Sequence, residues 1–339
     1  MVYAAYGAPP VVEDVPAPVC PDGGVVLEVR ATGVCRSDWH AWRGHEPVAL
    51  PHIPGHELAG VVAETGAGVT RWRAGDRVTV PFACGCGECA YCLAGDAQVC
   101  PQQTQPGVTG PGSFAGRVAL HAADFNLVGL PDGVGFVTAA ALGCRFATAF
   151  RALTGHGGLR DGDWLAVHGC GGLGLSAVMI GVALGARVVA VDVSVAALAR
   201  ARELGAEHAI ADPAAIPDLT GGGAHVSVDA VGLPACAVAS VRGLRRRGRH
   251  VQAGLLLGAA ATPPLPMDLV VGHELSIHGT HGMAARDYPP MLDLVASGAL
   301  RPDLLVARTI GLDEAPGALT GLSSLDGPAA GAGITVIEP

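Results

Sequence analysis

Residues 164–184 read WLAVHGCGGLGLSAVMIGVAL. Trp164–His168 is an apolar run of strand length, Gly169–Gly174 a glycine turn, and Leu175–Leu184 an unbroken apolar stretch of helical length. Arg187–Asp192 then predicts a second strand, and Val195–Leu204 a helix that stops at Gly205. Strand, turn, helix and strand in this order make the unit of a parallel sheet. Within the turn, Gly169, Gly171 and Gly174 have the spacing of a dinucleotide-binding loop, completed by Gly172 and Leu173. Glycine is needed there because the backbone turns tightly and approaches a pyrophosphate, which rests on the N–H groups and positive end of the helix. With Gly 50 in 339 residues the spacing alone says little, and its position between a strand and a helix carries the reading. Asp192 ends the second strand 23 residues past Gly169, near the spacing of ~20 at which an acid binds the ribose hydroxyls of an adenosine. A carboxylate there repels the extra phosphate of NADP, and Val193 and Ser194 bring no arginine to offset it, so NAD is expected. Asp192 also suits a helix N-cap, a role open to Ser194 as well.

Outward from this unit, further strands are expected at His225–Ala230 and His250–Gly254, with an Arg-rich helix over Pro234–Arg247 between them. Before it, Val25–Arg30, Gly60–Thr65 and Arg77–Pro81 read as β-strands set between Gly and Pro punctuators. After it the chain returns to short mixed elements around Thr262–Pro266 and Tyr288–Pro290. The expected fold is therefore α/β. A doubly wound parallel-sheet domain over 146–275 is inserted in a β-rich domain made of 1–145 and 276–339.

Length supports two domains of ordinary size. Gly 50 and Pro 25 together stay below the level of a low-complexity chain. The net charge of −9 argues against a sequence-independent grip on nucleic acid or an anionic membrane, and favours a small-molecule partner. All 21 basic residues are arginine, so Schiff-base chemistry is excluded. No apolar run reaches the ~18 residues of a membrane span, and MVYAAYGAPPVVEDVP lacks the basic end and apolar run of a leader, so the expected location is cytoplasmic. In that compartment ten cysteines read as metal ligands or catalytic groups rather than disulfides.

Cys86, Cys89, Cys92 and Cys100 stand in CGECAYCLAGDAQVC, close enough to give tetrahedral zinc four sulfurs at little cost in loop closure. Four thiolates leave no open position, so this zinc is structural. A redox CxxC pair and an iron–sulfur cluster are the alternatives; a nucleic-acid zinc ribbon is disfavoured because the lobe carries Glu88 and Asp96 and no arginine. Cys35 in GVCRSDWH and His56 in PGHELAG each follow an apolar stretch on a turn. A catalytic zinc needs a third ligand. Cys144 in ALGCRFATAF is the choice; a lone cysteine in an apolar run is by default inert core, and Glu57 is a rival ligand.

GVCRSDWH, PGHE, the four-cysteine lobe, LGC and GCGGLG, in this order, resemble the zinc-dependent medium-chain alcohol dehydrogenases, bacterial-type shorter members, over about residues 20 to 310. The resemblance implies a GroES-like catalytic domain with a structural-zinc lobe at about 84–101, a Rossmann NAD-binding domain, and two zinc ions per subunit. It assigns Cys35, His56 and Cys144 to the catalytic zinc and the four lobe cysteines to the structural one. Asp38 would orient the His56 ring, and Glu57 would lie behind the metal and be able to approach it. Ser37 and His40 match a relay that carries the alcohol proton by way of the cofactor ribose to solvent. Arg36 matches a pyrophosphate contact, Thr148 a contact near the nicotinamide, and Phe82 a pocket residue; Trp39, which flanks the ligand loop, and Leu255, after the strand that would approach the nicotinamide, are further candidates for the substrate pocket. Where many members have a ribose-binding lysine, this chain has Ala197. Cys84 is an extra thiol, and Cys20, Cys170 and Cys236 are expected to be small buried side chains. The implied activity is reversible hydride transfer between an apolar or aromatic primary or secondary alcohol and NAD, giving an aldehyde or ketone, in a homo-oligomer, tetramer before dimer. A polyol, threonine-like or pathway-specific alcohol as substrate, and a non-catalytic nucleotide-binding relative, are the competing readings.

Overall fold

The structure is a computed structural model that describes residues 1–323 and 333–339. It divides into two compact units, Met1–Ala147 with most of the described chain from Gly282 onward, and Thr148–His281. Among the described residues thirteen strands are distributed between them. The first unit opens with β1 (Val25–Val34), β2 (Glu57–Thr65), β3 (Arg77–Thr79), β4 (Arg117–Leu120) and β5 (Val128–Gly129). The second holds β6 (Trp164–His168), β7 (Arg187–Val191), β8 (His208–Ile210), β9 (Ala224–Asp229), β10 (Leu244–Gln252) and β11 (Ser276–Gly279). The chain then returns to the first sheet with β12 (Val306–Gly311) and β13 (Ile334–Glu338).

The first sheet runs β12-β13-β1-β2-β3-β5, with β4 also paired to β1, and all its pairs except β12–β13 are antiparallel. Val25, Leu27 and Val29 alternate along β1 and meet Leu58, Val62, Val78, Val118 and Leu120 in one buried cluster. The period of two thus fixes the register that packs Leu27 beside Val62 and Val118. Both strands run longer than the punctuators suggested. β1 reaches Val34 and β2 starts at Glu57, with Gly33 opposite Glu57. That pairing places Cys35, just past β1, beside His56, just before β2.

The second sheet has the order β11-β10-β9-β6-β7-β8 with every pair parallel. All five residues of β6 are buried, which is why it reads as a continuous apolar run instead of an alternation. The Gly172–Ala183 helix lies so close to this sheet that a Cβ on Gly181 would stand 2.5 Å from Leu165. Two expectations change here. The Arg-rich helix ends at Arg242, and Leu244–Gln252 is strand, because Gly243 releases the chain and the arginines project from a bulged strand in which Arg247 has φ 60°. The units divide at 147/148 and 281/282, not 145/146 and 275/276, because Ser276–Gly279 pairs with β10 and completes the parallel sheet. Among the described residues no helix is long and apolar enough to cross a membrane.

Candidate active site

Cys35 caps the Arg36–Trp42 helix in extended conformation (φ −116°, ψ 156°), so its side chain stands at the end of β1. Asp38, in the first turn of that helix and fully buried, ties three backbone segments together. Its Oδ2 accepts from the Cys35 N–H (2.9 Å), and its Oδ1 accepts from the Gly55 N–H (3.0 Å) and meets His56 Nδ1 (2.9 Å). With Nδ1 engaged by a carboxylate, Nε2 is the His56 nitrogen left to bind a metal. That atom is buried and has no hydrogen-bond partner among the described residues. Cys144 arrives on a wide π-helical turn, Leu142–Phe146, a local geometry that recurs at functional sites. Single donor atoms of Cys35, His56, Glu57 and Cys144 all lie within 4.8 Å of one another.

Glu57 is the fourth candidate donor, and the structure commits it elsewhere. It is fully buried, and Arg145 binds both its oxygens, Nε to Oε1 at 2.9 Å and Nη2 to Oε2, while the Arg145 N–H adds 3.3 Å to Oε1. A Cβ on Gly143 would come within 2.8 Å of the Glu57 Cα, and one on Gly33 would strike its carboxylate, so both glycines are needed for the fit. Burial raises the Glu57 pKa, and Arg145 and His56 offset part of that rise. Cys35 is held well below the ordinary thiol value by the Cys144 contact, against its own burial, with Arg145 and His56 helping. Burial opposes a proton on His56, yet Asp38 and the Cys35 sulfur outweigh it and hold the ring well above an ordinary histidine. Two sulfurs and one orphaned imidazole nitrogen, under the positive charge of Arg145, are a donor set suited to zinc with one position open. Asp38 is the carboxylate that orients such a histidine.

The four lobe cysteines also converge. Cys86 and Cys92 sulfurs are 3.9 Å apart and Cys89 and Cys100 3.6 Å, near the edge of about 3.8 Å that a tetrahedron of sulfurs at ~2.3 Å from zinc requires. All ten cysteines are free thiols. Backbone N–H groups of Cys86, Cys89, Cys92 and Gln102 point at the sulfurs at 3.3–3.5 Å, which favours thiolates; the N–H groups of Glu88 and Cys89 pull the Cys86 thiol down to about 7. Cys84 and Cys170 are buried, and burial pushes both up to about 12. Cys20 and Cys236 are half-buried, unlike the expectation, the first with its sulfur on the Gly24 carbonyl at 3.8 Å.

In the second unit Gly169 has φ 91°, Gly171 caps the Gly172–Ala183 helix, and a Cβ on Gly174 would drive into the Gly169 carbonyl. Gly171 faces open space and Leu173 is half-exposed. The Asp192 carboxylate fastens the same loop, accepting from the Cys170 N–H (2.6 Å) and the Ser194 N–H (2.8 Å). The helix cap belongs to Ser194, whose Oγ takes the N–H of Ala197, itself buried. Asp229, which the sequence reading passed over, fixes the neighbouring loops, with the Val231 and Gly232 N–H groups on Oδ1 (2.8 and 3.1 Å) and Gln252 Nε2 on Oδ2 (2.9 Å). Leu255 is exposed, on the segment whose backbone meets Gly232. Thr148 is buried at the start of this unit. His168, next to Gly169, is buried and held down to about 3, chiefly by burial. Its folded value lies below the ~6.5 of the unfolded chain, so the unfolded state binds more protons between these values and stability falls as the pH drops from 6.5 toward 3. His168→Leu is therefore expected to flatten the loss of stability between pH 6.5 and 4 in urea titrations, and an unchanged slope would count against the assignment.

Ser37 lies 3.9 Å from the Cys35 sulfur through its Oγ. His40 is half-buried, with Nδ1 3.0 Å from Nδ1 of His45. Trp39 packs against both imidazoles and donates to Ser323 Oγ at 2.9 Å; the Arg36 guanidinium lies over its ring at 4.9 Å and bonds the Leu322 carbonyl. Phe82 is buried edge-on to the His56 ring at 6.0 Å. Arg145 and Tyr288, whose hydroxyl donates to the Gly143 carbonyl at 3.2 Å, complete the surroundings of Cys144 and were not legible before the fold.

The comparisons agree with this geometry. Residues 21–132 match the family described as alcohol dehydrogenase GroES-like domain, and residues 172–297 that described as zinc-binding dehydrogenase. An alcohol dehydrogenase of Geobacillus stearothermophilus is 35% identical over 311 residues, covering 89% of each chain. The solved structure of an NAD-dependent alcohol dehydrogenase superposes with a TM-score of 0.89 at 30% identity, over 100% of this chain and 98% of that one. An alcohol dehydrogenase from Thermus sp. ATN1 superposes with a TM-score of 0.91 at 28% identity, over 99% and 98%. With both domains, the cysteine lobe and the Cys35, His56 and Cys144 constellation accounted for, the chain belongs to the zinc-type medium-chain alcohol dehydrogenases.

Proposed function

We propose that this chain transfers a hydride reversibly between an apolar or aromatic primary or secondary alcohol and NAD, with an aldehyde or ketone as product. The observation that carries the reading is the buried Nε2 of His56, unpartnered among the described residues and ringed by the Cys35 and Cys144 sulfurs. Cys35, His56 and Cys144 would hold a catalytic zinc and the four lobe cysteines a structural one, two per subunit. When bound, zinc supplies a Lewis acid that acidifies the alcohol, and NAD supplies the hydride acceptor. Asp38 fixes the His56 tautomer, and Arg145 neutralises Glu57, so that three donors remain for the metal. Ser37 takes the alcohol proton and His40 passes it toward solvent. Gly169, Gly171, Gly172, Leu173 and Gly174 cradle the pyrophosphate and Asp192 holds the adenosine ribose, with Arg36 and Thr148 the remaining candidates for cofactor contacts. Phe82, beside His56, supports an apolar substrate, with Trp39 and Leu255 the remaining pocket candidates.

A homo-oligomer, tetramer before dimer, is the expected assembly; self-association is supported by the edge strand β11, which has Ile277 exposed on it and Met267 and Val271 exposed on the preceding helix. Ten free thiols suit a reducing compartment, which supports the cytoplasm. The test is NAD and NADP reduction with a panel of primary, secondary, aromatic and polyhydroxy alcohols. NAD is expected to be preferred, and Asp192→Gly is expected to cut that preference by about 1–3 kcal/mol, or ~10–200-fold. A wild-type preference for NADP, or turnover confined to polyols, would contradict the reading.

A further inference from the structure

His45 belongs to no motif in the sequence, yet the structure brings it onto His40. The Arg36–Trp42 helix stops at Arg43, and Gly44, with φ 75°, turns the chain back so that the His45 N–H donates to the His40 carbonyl at 2.9 Å. The two Nδ1 atoms then stand 3.0 Å apart. The indole of Trp39 lies edge-on to both rings, at 5.1 and 5.4 Å, and is itself clamped by Ser323 and Arg36. The imidazole pair is therefore fixed in place by a packed neighbour and a backbone hydrogen bond. At this distance one Nδ1 carries the shared proton and the other accepts it. His40 is half-buried and His45 exposed, so the pair runs from the interior side of the helix to water.

We infer that His45 is the outer member of the proton path: it takes the proton from His40 and releases it to solvent. This rests on the reading of Ser37 and His40 as the relay and extends it by one residue. In the step, a proton arriving at Nε2 of His40 lets the Nδ1 proton cross to Nδ1 of His45, whose Nε2 proton leaves to water. One proton enters and one leaves, no bond between heavy atoms changes, and the rings regain their starting tautomers by exchange with solvent. The charged groups around His40 are Arg36 on its own helix, the Cys35 sulfur at the helix start and His45 from the following turn. Burial, then His45 and Arg36, hold His40 below the ordinary histidine value, so it does not retain the proton it receives.

The test combines ring nitrogen spectra of the protein without cofactor and rapid-mixing rates of benzyl alcohol oxidation in dilute buffer. His45→Phe keeps a ring and removes the acceptor. It is expected to abolish the hydrogen-bonded Nδ1 signal of His40, to raise the pH at which His40 titrates, and to slow the proton-linked step by about 10-fold or more with an unchanged KM for NAD. Imidazole added as buffer is expected to restore the rate. A His45→Phe enzyme as fast as the wild type in dilute buffer, beside a slow His40→Gln enzyme, overturns the inference and leaves the relay standing. A fast His40→Gln enzyme overturns the relay and the inference together.

Discussion

Replacing Arg145 by methionine is expected to lower the unfolding free energy by about 3–5 kcal/mol. Glu57 is fully buried between two strand ends, and a Cβ on Gly33 or Gly143 would collide with it, so the carboxylate has no room to turn toward water. The guanidinium is the partner that compensates it, through both oxygens, and is itself mostly buried, with 14% of its side chain exposed. Removing it leaves an uncompensated buried charge or forces Glu57 to take up a proton, and either outcome costs several kcal/mol. Urea denaturation of the metal-free protein measures this without interference from ligand binding. A double variant, Glu57→Gln with Arg145→Met, is expected to recover much of the loss, since the charge is then absent. A single variant within ~1 kcal/mol of the wild type would show that the pair is not what holds Glu57 in place.

Ser37→Ala is expected to lower kcat by about 10²–10⁴-fold while zinc content and NAD affinity stay as in the wild type. The hydroxyl lies 3.9 Å from the Cys35 sulfur, one of the donors. On the proposed relay, its loss removes the acceptor for the alcohol proton without removing a metal donor or altering the glycine loop. Ser37→Thr keeps the hydroxyl and is expected to retain most of the rate. An alanine variant that turns over normally would remove Ser37 from the proton path.

What the sequence made legible follows from how local each feature is. The unit from Trp164 to Asp192 could be read because glycine punctuation, a buried strand and an apolar helix follow one another within a few turns of chain, and β6 lies where it was expected. The lobe cysteines are equally local. Cys144 was weaker because nothing near it in sequence resembles a ligand; only the π-helical turn and the approach of β2 bring it to His56. Arg145 was invisible for the same reason, since its meaning lies in Glu57, a residue far away in the chain but adjacent in space. His45 needed the turn at Gly44, and Asp229 the pairing of β9 with β10, neither of which leaves a mark in spacing. The helix expected over Pro234–Arg247 forms only as far as Arg242 and shows the converse beyond it: arginines suit helices by propensity, and strand pairing overrode that preference.

The central claim is that two separate donor sets in one chain bind zinc, one closed and one open. It is tested most directly by metal content per chain in the wild type and in Cys144→Ser and Cys92→Ser variants, with folding followed in parallel. Two zinc ions are expected in the wild type. Cys144→Ser is expected to lose one with the fold retained, and Cys92→Ser to lose the other with a marked drop in stability. A wild-type chain that holds a single zinc, or a Cys144→Ser variant that keeps both, would contradict the account.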